Sequence, residues 1–469
     1  MKSPALEHFR ERLRRAGYEE ESVERVVRDD GRLPFAVGLA ALRLRPDADE
    51  PLSVLLRLFL GGESLPRELL RAALAPVDIA ELQREGLITV RGGAVAARVA
   101  LQPFGGLVIA SDRSTSRPRP GHVVQVGPAT QTLAALTVRR DVRSSLDLGT
   151  GSGAQALLAA AHSGHVVGTD VNPRALRLAR LNAALNEVEN VEWRRGDLYA
   201  PVREDRFGLI AANPPFVVSP ARELTYRDGG RSGDSLSREA VTGAALRLDE
   251  GGYASILCSW VTEPGGASVE APGEWLAGCG CDALVLELST DNPVTYAVRW
   301  NSPGRRPAAV ARAAEPWLGD YQARGIRTVS TGVIVLRKRG GDNWTRFEKL
   351  ALGPRGAAGD HVERVFAAED RLRSLPDDRG LLEQPLALAP GTLLVERRGP
   401  GGGLERARIT VEEGIPLPGH VPVSLASVIA ALDGRRTLSA LLDPAARREA
   451  LPTVRRLLAR GLLVAADSR

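Results

Sequence analysis

Short apolar runs alternate with helical segments through the middle of this 469-residue chain. Between the proline-, serine- and arginine-rich stretch at 111–122 and a second break beyond Arg339, the runs are SSLDLG, HVVGTD, VEWRRGD, FGLIAANPP, GGYASILCSW, DALVLELST and TVSTGVIVLRKR. Parallel strands need crossover connections, so this alternation predicts a parallel sheet with helices on both faces. The predicted fold class is α/β with a Rossmann-like core of seven strands. A ligand site is expected at the carboxyl ends of the strands.

Small helical units are predicted on both sides of this core. Residues 1–115 place apolar residues three or four apart and then read as a β-hairpin, which is the order of a winged-helix unit. Near the C-terminus, LASVIAALDGRRTLSALL and ALPTVRRLLARGLLVAAD loosely repeat that order. We therefore expect three domains: a helical and winged-helix-like domain at 1–115, the α/β core at 116–350, and a smaller α+β domain at 351–469 with a winged-helix-like end.

The composition limits the location and the partners. Lysine and arginine number 62 against 57 acidic residues, and this net charge of +5 permits an acidic partner without requiring one. No stretch reaches the ~20 apolar residues of a membrane span, and the N-terminus is charged where a signal peptide is apolar. A cytoplasmic protein without a membrane partner is predicted. The cysteines and histidines form no metal-ligand pattern, so no metal is expected.

Three glycines follow the first predicted strand, in LDLGTGSGAQALLAAA. Gly149, Gly151 and Gly153 stand at alternate positions, where they let the backbone turn tightly and approach a ligand, while the next helix offers free amide groups. The spacing G-x-G-x-G differs from the G-x-G-x-x-G of dinucleotide enzymes, which disfavours a nicotinamide cofactor.

Acidic residues end the next two predicted strands. Asp170 ends HVVGTD, where it is placed to accept both hydroxyls of a ribose. Asp197 ends VEWRRGD, where it is placed to accept a hydrogen bond from an adenine amino group. A single aspartate here is better explained as a helix cap. The order of glycine loop, acid and acid on successive strands favours a ligand site.

With these three strand ends, the sequence resembles the class I S-adenosylmethionine-dependent methyltransferases. The resemblance implies that the core is a methyltransferase domain and that S-adenosylmethionine is the cofactor. The glycine loop would cradle its amino-acid part, Asp170 would hold the ribose, and Asp197 with Leu198 would border the adenine. The cofactor-binding residues predicted in this way are Thr130, Asp147, Gly149, Thr150, Gly151, Gly153, Asp170, Val171, Asn172, Asp197, Leu198 and Asn213.

The fourth predicted strand ends in the tetrapeptide NPPF, which methyltransferases of planar, conjugated nitrogens carry. Two acceptors, the side-chain oxygen of Asn213 and the carbonyl of Pro214, would take hydrogen bonds from the two N–H groups of the target nitrogen. The prolines fix the backbone beforehand, and Phe216 offers a flat face for stacking. The predicted catalytic residues are Asn213, Pro214, Pro215 and Phe216.

Two further stretches resemble the release-factor glutamine methyltransferases. GPATQ, at 127–131, matches their Pro-x-Thr-acid stretch except that Gln131 replaces the acid. RDGG followed by GD, from Arg227 to Asp234, matches a stretch that follows their tetrapeptide. The chain differs from that group also in Phe216, where tyrosine is usual, and in its flanking regions.

Four functions are weighed. The leading prediction is N-methylation of a protein glutamine amide, so a protein partner is preferred to RNA or DNA. The second is methylation of an adenine or guanine amino group, with ribosomal RNA as the first candidate and the winged-helix-like ends as docking arms. A non-catalytic binding protein and a NAD enzyme are third and fourth. Trp260, Trp275 and Trp300 are expected to pack, with a pocket wall as the less favoured alternative. Arg455, Arg456 and Arg460 suit contact with phosphate, although packing or protein contact is the preferred role of the winged-helix-like units.

Overall fold

The computed structural model describes residues 3–115, 118–220, 225–228 and 233–466. The chain divides into two compact units. The first comprises Met1–Gln131, Asp141–Ala283 and Thr290–Thr345, and the second comprises Thr132–Arg140, Leu284–Ser289 and Arg346–Arg469. The N-terminal elements thus fall in the same unit as most of the central sheet, and the division into three domains at 115 and 350 stays a prediction.

The N-terminal part of the first unit is a helical array followed by short strands. Its elements are α1 (Pro4–Arg15), α2 (Glu20–Arg28), α3 (Phe35–Ala41), α4 (Pro51–Phe59), β1 (Leu65–Pro66), α5 (Arg67–Leu74), α6 (Ile79–Arg84), β2 (Ile88–Arg91), β3 (Ala94–Ala97), β4 (Ala100–Phe104) and β5 (Leu107–Ser111). Strand β3 pairs antiparallel with both β1 and β2. The side chain of Asp78 caps α6 by accepting the backbone N–H of Ala80 at 2.8 Å. This order matches the winged-helix prediction, and the assignment to that class stays a prediction.

The central part of the chain contains the large sheet. Its elements are α7 (Pro128–Leu136), β6 (Val142–Leu148), α8 (Ala154–Ala160), β7 (Ser163–Asp170), α9 (Pro173–Leu185), β8 (Val191–Arg195), β9 (Phe207–Ala212), α10 (Thr225–Asp228), α11 (Ser235–Arg247), β10 (Leu248–Thr262), α12 (Glu270–Leu276), β11 (Cys281–Asp291), α13 (Pro293–Asn301), α14 (Pro307–Ala323), β12 (Thr328–Lys338) and β13 (Thr345–Lys349). The strand order is β13-β11-β12-β10-β9-β6-β7-β8. All seven predicted strands are confirmed.

The sheet also has an eighth strand that the sequence did not predict. TRFEK, at 345–349, forms β13 and lies beside β11 at the end of the sheet. Its charged residues and its length of five gave no apolar run from which to predict it. The strand covers an edge that would otherwise expose unpaired backbone groups.

The strand order changes direction at β6. Strand β6 pairs in parallel with β7 on one side and with β9 on the other, β7 continues to β8, and β9 continues to β10. Strand β12 runs antiparallel to β10, so the expectation of a parallel sheet is wrong for this strand. Ligands of open α/β sheets bind outside the carboxyl ends of the strands at such a switch point. The fold therefore directs the segments after β6, β7 and β9 toward one site.

Two helices lie between β11 and β12. Helices α13 and α14 pack around buried Tyr296, Trp317 and Tyr321, whose ring centroids are 6.3–6.5 Å apart. Pro293 begins α13 after Asn292, whose side chain caps the helix by accepting the backbone N–H of Thr295 at 2.9 Å. We refer to residues 293–323 as the α13–α14 hairpin.

The second unit contains the remaining elements. They are α15 (Gly359–Ser374), α16 (Asp378–Leu382), β14 (Pro385–Leu388), β15 (Thr392–Arg398), β16 (Leu404–Val411), β17 (Gly419–Val421), α17 (Ala426–Ala430), β18 (Asp433–Thr437), α18 (Leu438–Leu441), α19 (Pro444–Ala459) and β19 (Leu463–Ala465). The hairpin predicted in PGGGLERARITV is β15–β16. Arg460 was expected to suit phosphate, but its guanidinium group is paired with Glu348 at 3.0 Å and also donates to the carbonyl of Pro418.

Within the described part of the chain, no helix is long and apolar enough to cross a membrane. The described residues also include no group of three or more His, Cys, Asp or Glu side chains that could hold a metal ion. The cytoplasmic location stays a prediction.

Candidate active site

A cavity of about 790 Å³ lies at the carboxyl ends of β6 to β9. Its described walls come from the strand ends and the segments that follow them, from residues 122–130, and from three residues of α10, one of α11 and two of α13. Every residue predicted for cofactor binding or catalysis lines it, with the exception of Gly153. The fold thus brings the predicted residues together, and their individual roles stay predictions.

The glycine loop after β6 is tied to the neighbouring strand. The backbone N–H of Thr150 donates to the carbonyl of Thr169 at 2.8 Å. Gly151 has φ +56°, and a Cβ added there would meet no atom within 4 Å, so its Cα faces open space. Gly153 differs, because an added Cβ would lie 3.0 Å from the Trp193 ring and 3.1 Å from the Ala179 Cβ. Gly153 is needed for the packing of α8 against β8 and α9.

The side chain of Asp147, near the end of β6, is hydrogen-bonded to the glycine loop. Its Oδ2 accepts the hydroxyl of Thr150 at 2.5 Å and the backbone N–H of Ala156 at 2.9 Å. Burial raises the pKa of this carboxyl group from 3.8 to about 6, although the two hydrogen bonds act in the opposite direction. The side chain therefore joins the strand end, the loop and the start of α8.

Asp170, at the end of β7, holds the same loop from the side. Its Oδ2 accepts the backbone N–H of Gly151 at 2.9 Å, and its Oδ1 accepts the backbone N–H of Asn172 at 2.8 Å. Burial raises its pKa. A carboxylate has about four lone-pair sites, so both oxygens retain capacity to accept from a ligand hydroxyl. The side chain of Asn172 is already occupied, since it caps α9 at Arg174 and donates to the carbonyl of Gly121.

The segment after β8 forms an edge of mixed character. Asp197 is exposed, and its carbonyl accepts the backbone N–H of Ala200 at 2.9 Å. Leu198 has φ +43°, in the left-handed region that non-glycine residues seldom occupy. Val171 lines the same cavity and is 39% exposed. Apolar side chains beside a carboxylate suit a flat heterocycle that carries an amino group.

The NPPF tetrapeptide lies close to the glycine loop. A Cβ added to Gly149 would be 3.8 Å from both the carbonyl oxygen of Asn213 and the Cα of Pro214. The Nδ2 of Asn213 is 3.5 Å from the Thr130 hydroxyl, and the carbonyl of Thr130 accepts the side-chain amide of Gln155 at 2.9 Å. Residues after β6 and β9 therefore form one continuous wall, as expected for neighbouring parallel strands.

An aromatic corner adjoins the tetrapeptide. The rings of Phe216 and Trp300 meet edge to face, with centroids 6.2 Å apart and planes at 74°. Trp300 and Arg299 of α13 line the cavity, so the less favoured of the two expectations for Trp300, a pocket wall, applies to it, whereas Trp260 and Trp275 are buried.

His122 and Tyr226 also line the cavity, with ring centroids 6.0 Å apart. Neither was predicted. Asp112 fixes the backbone beside His122 by accepting the N–H of Val123 at 2.9 Å, and it is paired with Arg174 of α9. Burial lowers the pKa of His122, which favours its neutral form.

The stretch compared with release-factor enzymes is described only in part. Gly229–Ser232 lie outside the described residues. Arg227 donates to Asp228 at 2.6 Å and lies over the ring of Trp317, while Asp234 accepts the backbone N–H of Val261 at 3.0 Å. Gln131, the residue that replaces an acid, is exposed and is not part of the described cavity wall.

An open sheet that reverses at β6, a glycine loop, an acid after the next strand and an Asn-Pro-Pro-Phe turn define the core of a class I S-adenosylmethionine-dependent methyltransferase. Residues 124–258 match the family model for the methyltransferase small domain, and this central part of the chain belongs to that group. Residues 31–98 match a second family model, a domain of unknown function (DUF7059).

Relatives carry the name release factor glutamine methyltransferase. The chain is 33% identical over 183 residues to that protein of Xylella fastidiosa, strain 9a5c, which covers 36% of this chain and 65% of the relative. It is 34% identical over 175 residues to that of Deinococcus radiodurans, covering 34% and 61%. The first curated relatives are matched over 32% to 65% of their own length. The solved structure of the YcgJ protein of Bacillus subtilis is 15% identical and covers 45% of this chain and 98% of that chain, with a TM-score of 0.30.

Proposed function

We propose that this protein is an S-adenosylmethionine-dependent N-methyltransferase that acts on a glutamine side-chain amide of a protein. The observation that carries the proposal is the position of NPPF, which shares one cavity with the glycine loop and with Asp170. The relatives named release factor glutamine methyltransferase support the choice of acceptor.

The residues at the glycine-loop side fit the cofactor. Gly149 and Gly151 leave the loop without side chains, Asp170 keeps lone pairs for two hydroxyl groups, and Val171 with Leu198 offers an apolar edge. A volume of about 790 Å³ lies in the upper part of the range of roughly 300–1,000 Å³ for ligand pockets. The cavity therefore has room for a cofactor and an acceptor side chain.

The tetrapeptide would orient the acceptor. An amide nitrogen is a poor nucleophile because its lone pair is delocalised. The Oδ1 of Asn213 has no hydrogen-bond partner among the described residues, and with the Pro214 carbonyl it would accept the two N–H groups of the target. These contacts would hold the lone pair in line with the methyl carbon and return electron density to nitrogen. When bound, the cofactor would supply an activated methyl group: the N–C bond would form as the methyl–sulfur bond breaks, that electron pair would stay on sulfur, and one N–H proton of the acceptor would leave to water.

A tritiated methyl-transfer assay on lysate tests this function. The lysate comes from cells that lack the chain, and parallel samples are treated with protease or with nuclease before separation. We expect the label to be lost with protease and to map by mass spectrometry to a glutamine side chain. Label that survives protease and disappears with nuclease would refute the glutamine assignment and support the nucleic-acid base. The Asn213→Ala variant serves as the inactive control.

A further inference from the structure

The residue that follows NPPF by two positions is held by two tyrosine side chains. The backbone N–H of Val218 donates to the hydroxyl of Tyr296 at 3.2 Å, and the hydroxyl of Tyr321 donates to the carbonyl of Val218 at 2.5 Å. All three residues are at most 1% exposed. Because β9 ends at Ala212, these backbone groups have no strand partner, and buried groups of this kind need one. The two tyrosine hydroxyls supply the hydrogen bonds that a neighbouring strand would otherwise provide to Val218.

Both tyrosines belong to the α13–α14 hairpin. Tyr296 lies on α13 and Tyr321 on α14, and their rings pack with Trp317, whose centroid is 6.3–6.5 Å from each. Aromatic rings at these separations form favourable tilted and edge-to-face pairs. A rigid aromatic cluster therefore fixes the two hydroxyls, and through them the backbone that leaves the tetrapeptide.

The same hairpin forms part of the cavity wall. Trp300 stands one helical turn after Tyr296, with ring centroids 6.2 Å apart, and meets Phe216 at the same separation. Arg299 lines the cavity beside it and donates to the Oδ1 of Asp291 at 2.8 Å. We refer to the two hydrogen bonds between the hydroxyls of Tyr296 and Tyr321 and the backbone of Val218 as the clamp. One turn of α13 thus connects the clamp to the surface that an acceptor would touch.

We propose that the α13–α14 hairpin is the acceptor-binding element of the site. Tyr296 and Tyr321 are positioning residues that set the tetrapeptide through Val218, and Trp300 with Phe216 encloses the aliphatic stem of a glutamine side chain. The proposal rests on the proposed methyl transfer and adds the residues that place the acceptor. It assigns no part in cofactor binding to the hairpin.

Single hydroxyl deletions test the clamp. Tyr321→Phe and Tyr296→Phe remove one oxygen each and keep the ring. Tyr199→Phe is the matched control, because its hydroxyl is also buried and donates to the carbonyl of Ala240 at 2.5 Å, outside the described cavity wall. A misplacement of about 1 Å can cost on the order of 100-fold in rate. We expect kcat on the lysate protein fraction to fall roughly 10- to 100-fold for each clamp variant, with the cofactor Kd within about twofold of wild type, and no such fall for Tyr199→Phe.

Two substitutions test the role of Trp300 in the cavity wall. Trp300→Ala should raise the acceptor KM and leave the cofactor Kd unchanged. Trp300→Phe should have an acceptor KM close to that of wild type. Clamp variants that match Tyr199→Phe in kcat, or that lose cofactor affinity in step with kcat, would overturn the proposal.

Hydrogen exchange tests the clamp without any acceptor. The Val218 amide should exchange faster in Tyr296→Phe than in Tyr199→Phe, and equal rates would count against the inference. If label appears in RNA and not in protein, the glutamine assignment alone fails, and the same variants assayed on RNA still decide the role of the hairpin.

Discussion

The side-chain amide nitrogen of Asn213 lies 3.5 Å from the hydroxyl oxygen of Thr130, which is a long contact for a hydrogen bond. This contact uses the Nδ2 donor of the Asn213 amide and leaves Oδ1 as the atom that can accept a hydrogen bond from the target. Thr130 sits on α7 and is itself tied to Gln155 of α8. Contacts of this kind are often long without substrate and tighten in the reactive complex.

This contact predicts different effects for the two residues. Asn213→Ala should lower kcat roughly 100- to 1,000-fold, as loss of one oriented polar contact in a reaction site does. Thr130→Val keeps the shape and removes the hydroxyl, so a smaller fall of roughly tenfold is expected, with Thr130→Ser close to wild type. Stopped-time methyl-transfer assays at saturating cofactor provide the measurement. A Thr130→Val enzyme as slow as Asn213→Ala would contradict a supporting role.

Asp170→Ala should act on cofactor binding. It removes the acceptor of the Gly151 N–H and a carboxylate whose hydrogen bonds are worth about 1.5–3 kcal/mol each, so the cofactor Kd should rise roughly 10- to 150-fold. Isothermal calorimetry measures the change. Asp141→Ala, at an exposed position just before β6, is the control and should bind as wild type does. Equal affinities for the two variants would remove Asp170 from the binding site.

The raised pKa of Asp147 predicts a pH-dependent stability. The folded protein favours the neutral carboxyl, so the stability that this preference contributes is complete below pH 3.8 and is lost as the pH rises through about 6. Asp147→Asn removes the titration. The unfolding temperature of the variant relative to wild type should therefore increase between pH 4.5 and pH 7, as differential scanning calorimetry can record. A difference that stays constant over that range would show an unperturbed carboxyl group.

Two glycines of one loop should respond differently to alanine. Gly153→Ala places a methyl group against Trp193 and Ala179 at φ +86°, and a strained backbone of this kind costs on the order of 1–3 kcal/mol. Its unfolding temperature should fall, while the folded fraction should keep wild-type cofactor affinity. Gly151→Ala shares the backbone strain at φ +56° but meets no atom within 4 Å and borders the cavity, so it should in addition raise the cofactor Kd, which Gly153→Ala should not. Thermal scans and calorimetry on both variants separate the two effects.

The sequence predicted which residues of the glycine loop and the neighbouring strand ends line the cavity, because they follow apolar runs. The glycine loop, Asp170, Asp197 and NPPF each come directly after an apolar run, and parallel strands bring such positions to one edge. Trp300, Tyr226 and His122 could not be predicted in this way. None of the three directly follows an apolar run, since His122 precedes α7, Tyr226 lies on α10 and Trp300 lies on α13, and the direction of a helical side chain depends on how its helix packs.

The role of Gly153 also needed the structure. Its place in the G-x-G-x-G pattern made it look equivalent to Gly149 and Gly151, yet the atoms nearest to it belong to Trp193 and Ala179. Likewise, Arg460 belonged to an arginine-rich helix end, and only its contact with Glu348 shows that its charge is already balanced.

The reversal of strand order at β6 also separates two groups of cavity residues, those assigned to the methyl donor and those assigned to the acceptor. On the proposed roles, most residues that hold the methyl donor lie between Asp147 and Leu198, with Thr130 and Asn213 outside that range, whereas the residues that meet the acceptor lie between Asn213 and Trp300. The two sets of residues share one sheet edge and, of the residues named for them, only Asn213. We therefore expect that substitutions confined to the α13–α14 hairpin change which acceptor is methylated and leave the binding of the methyl donor unchanged.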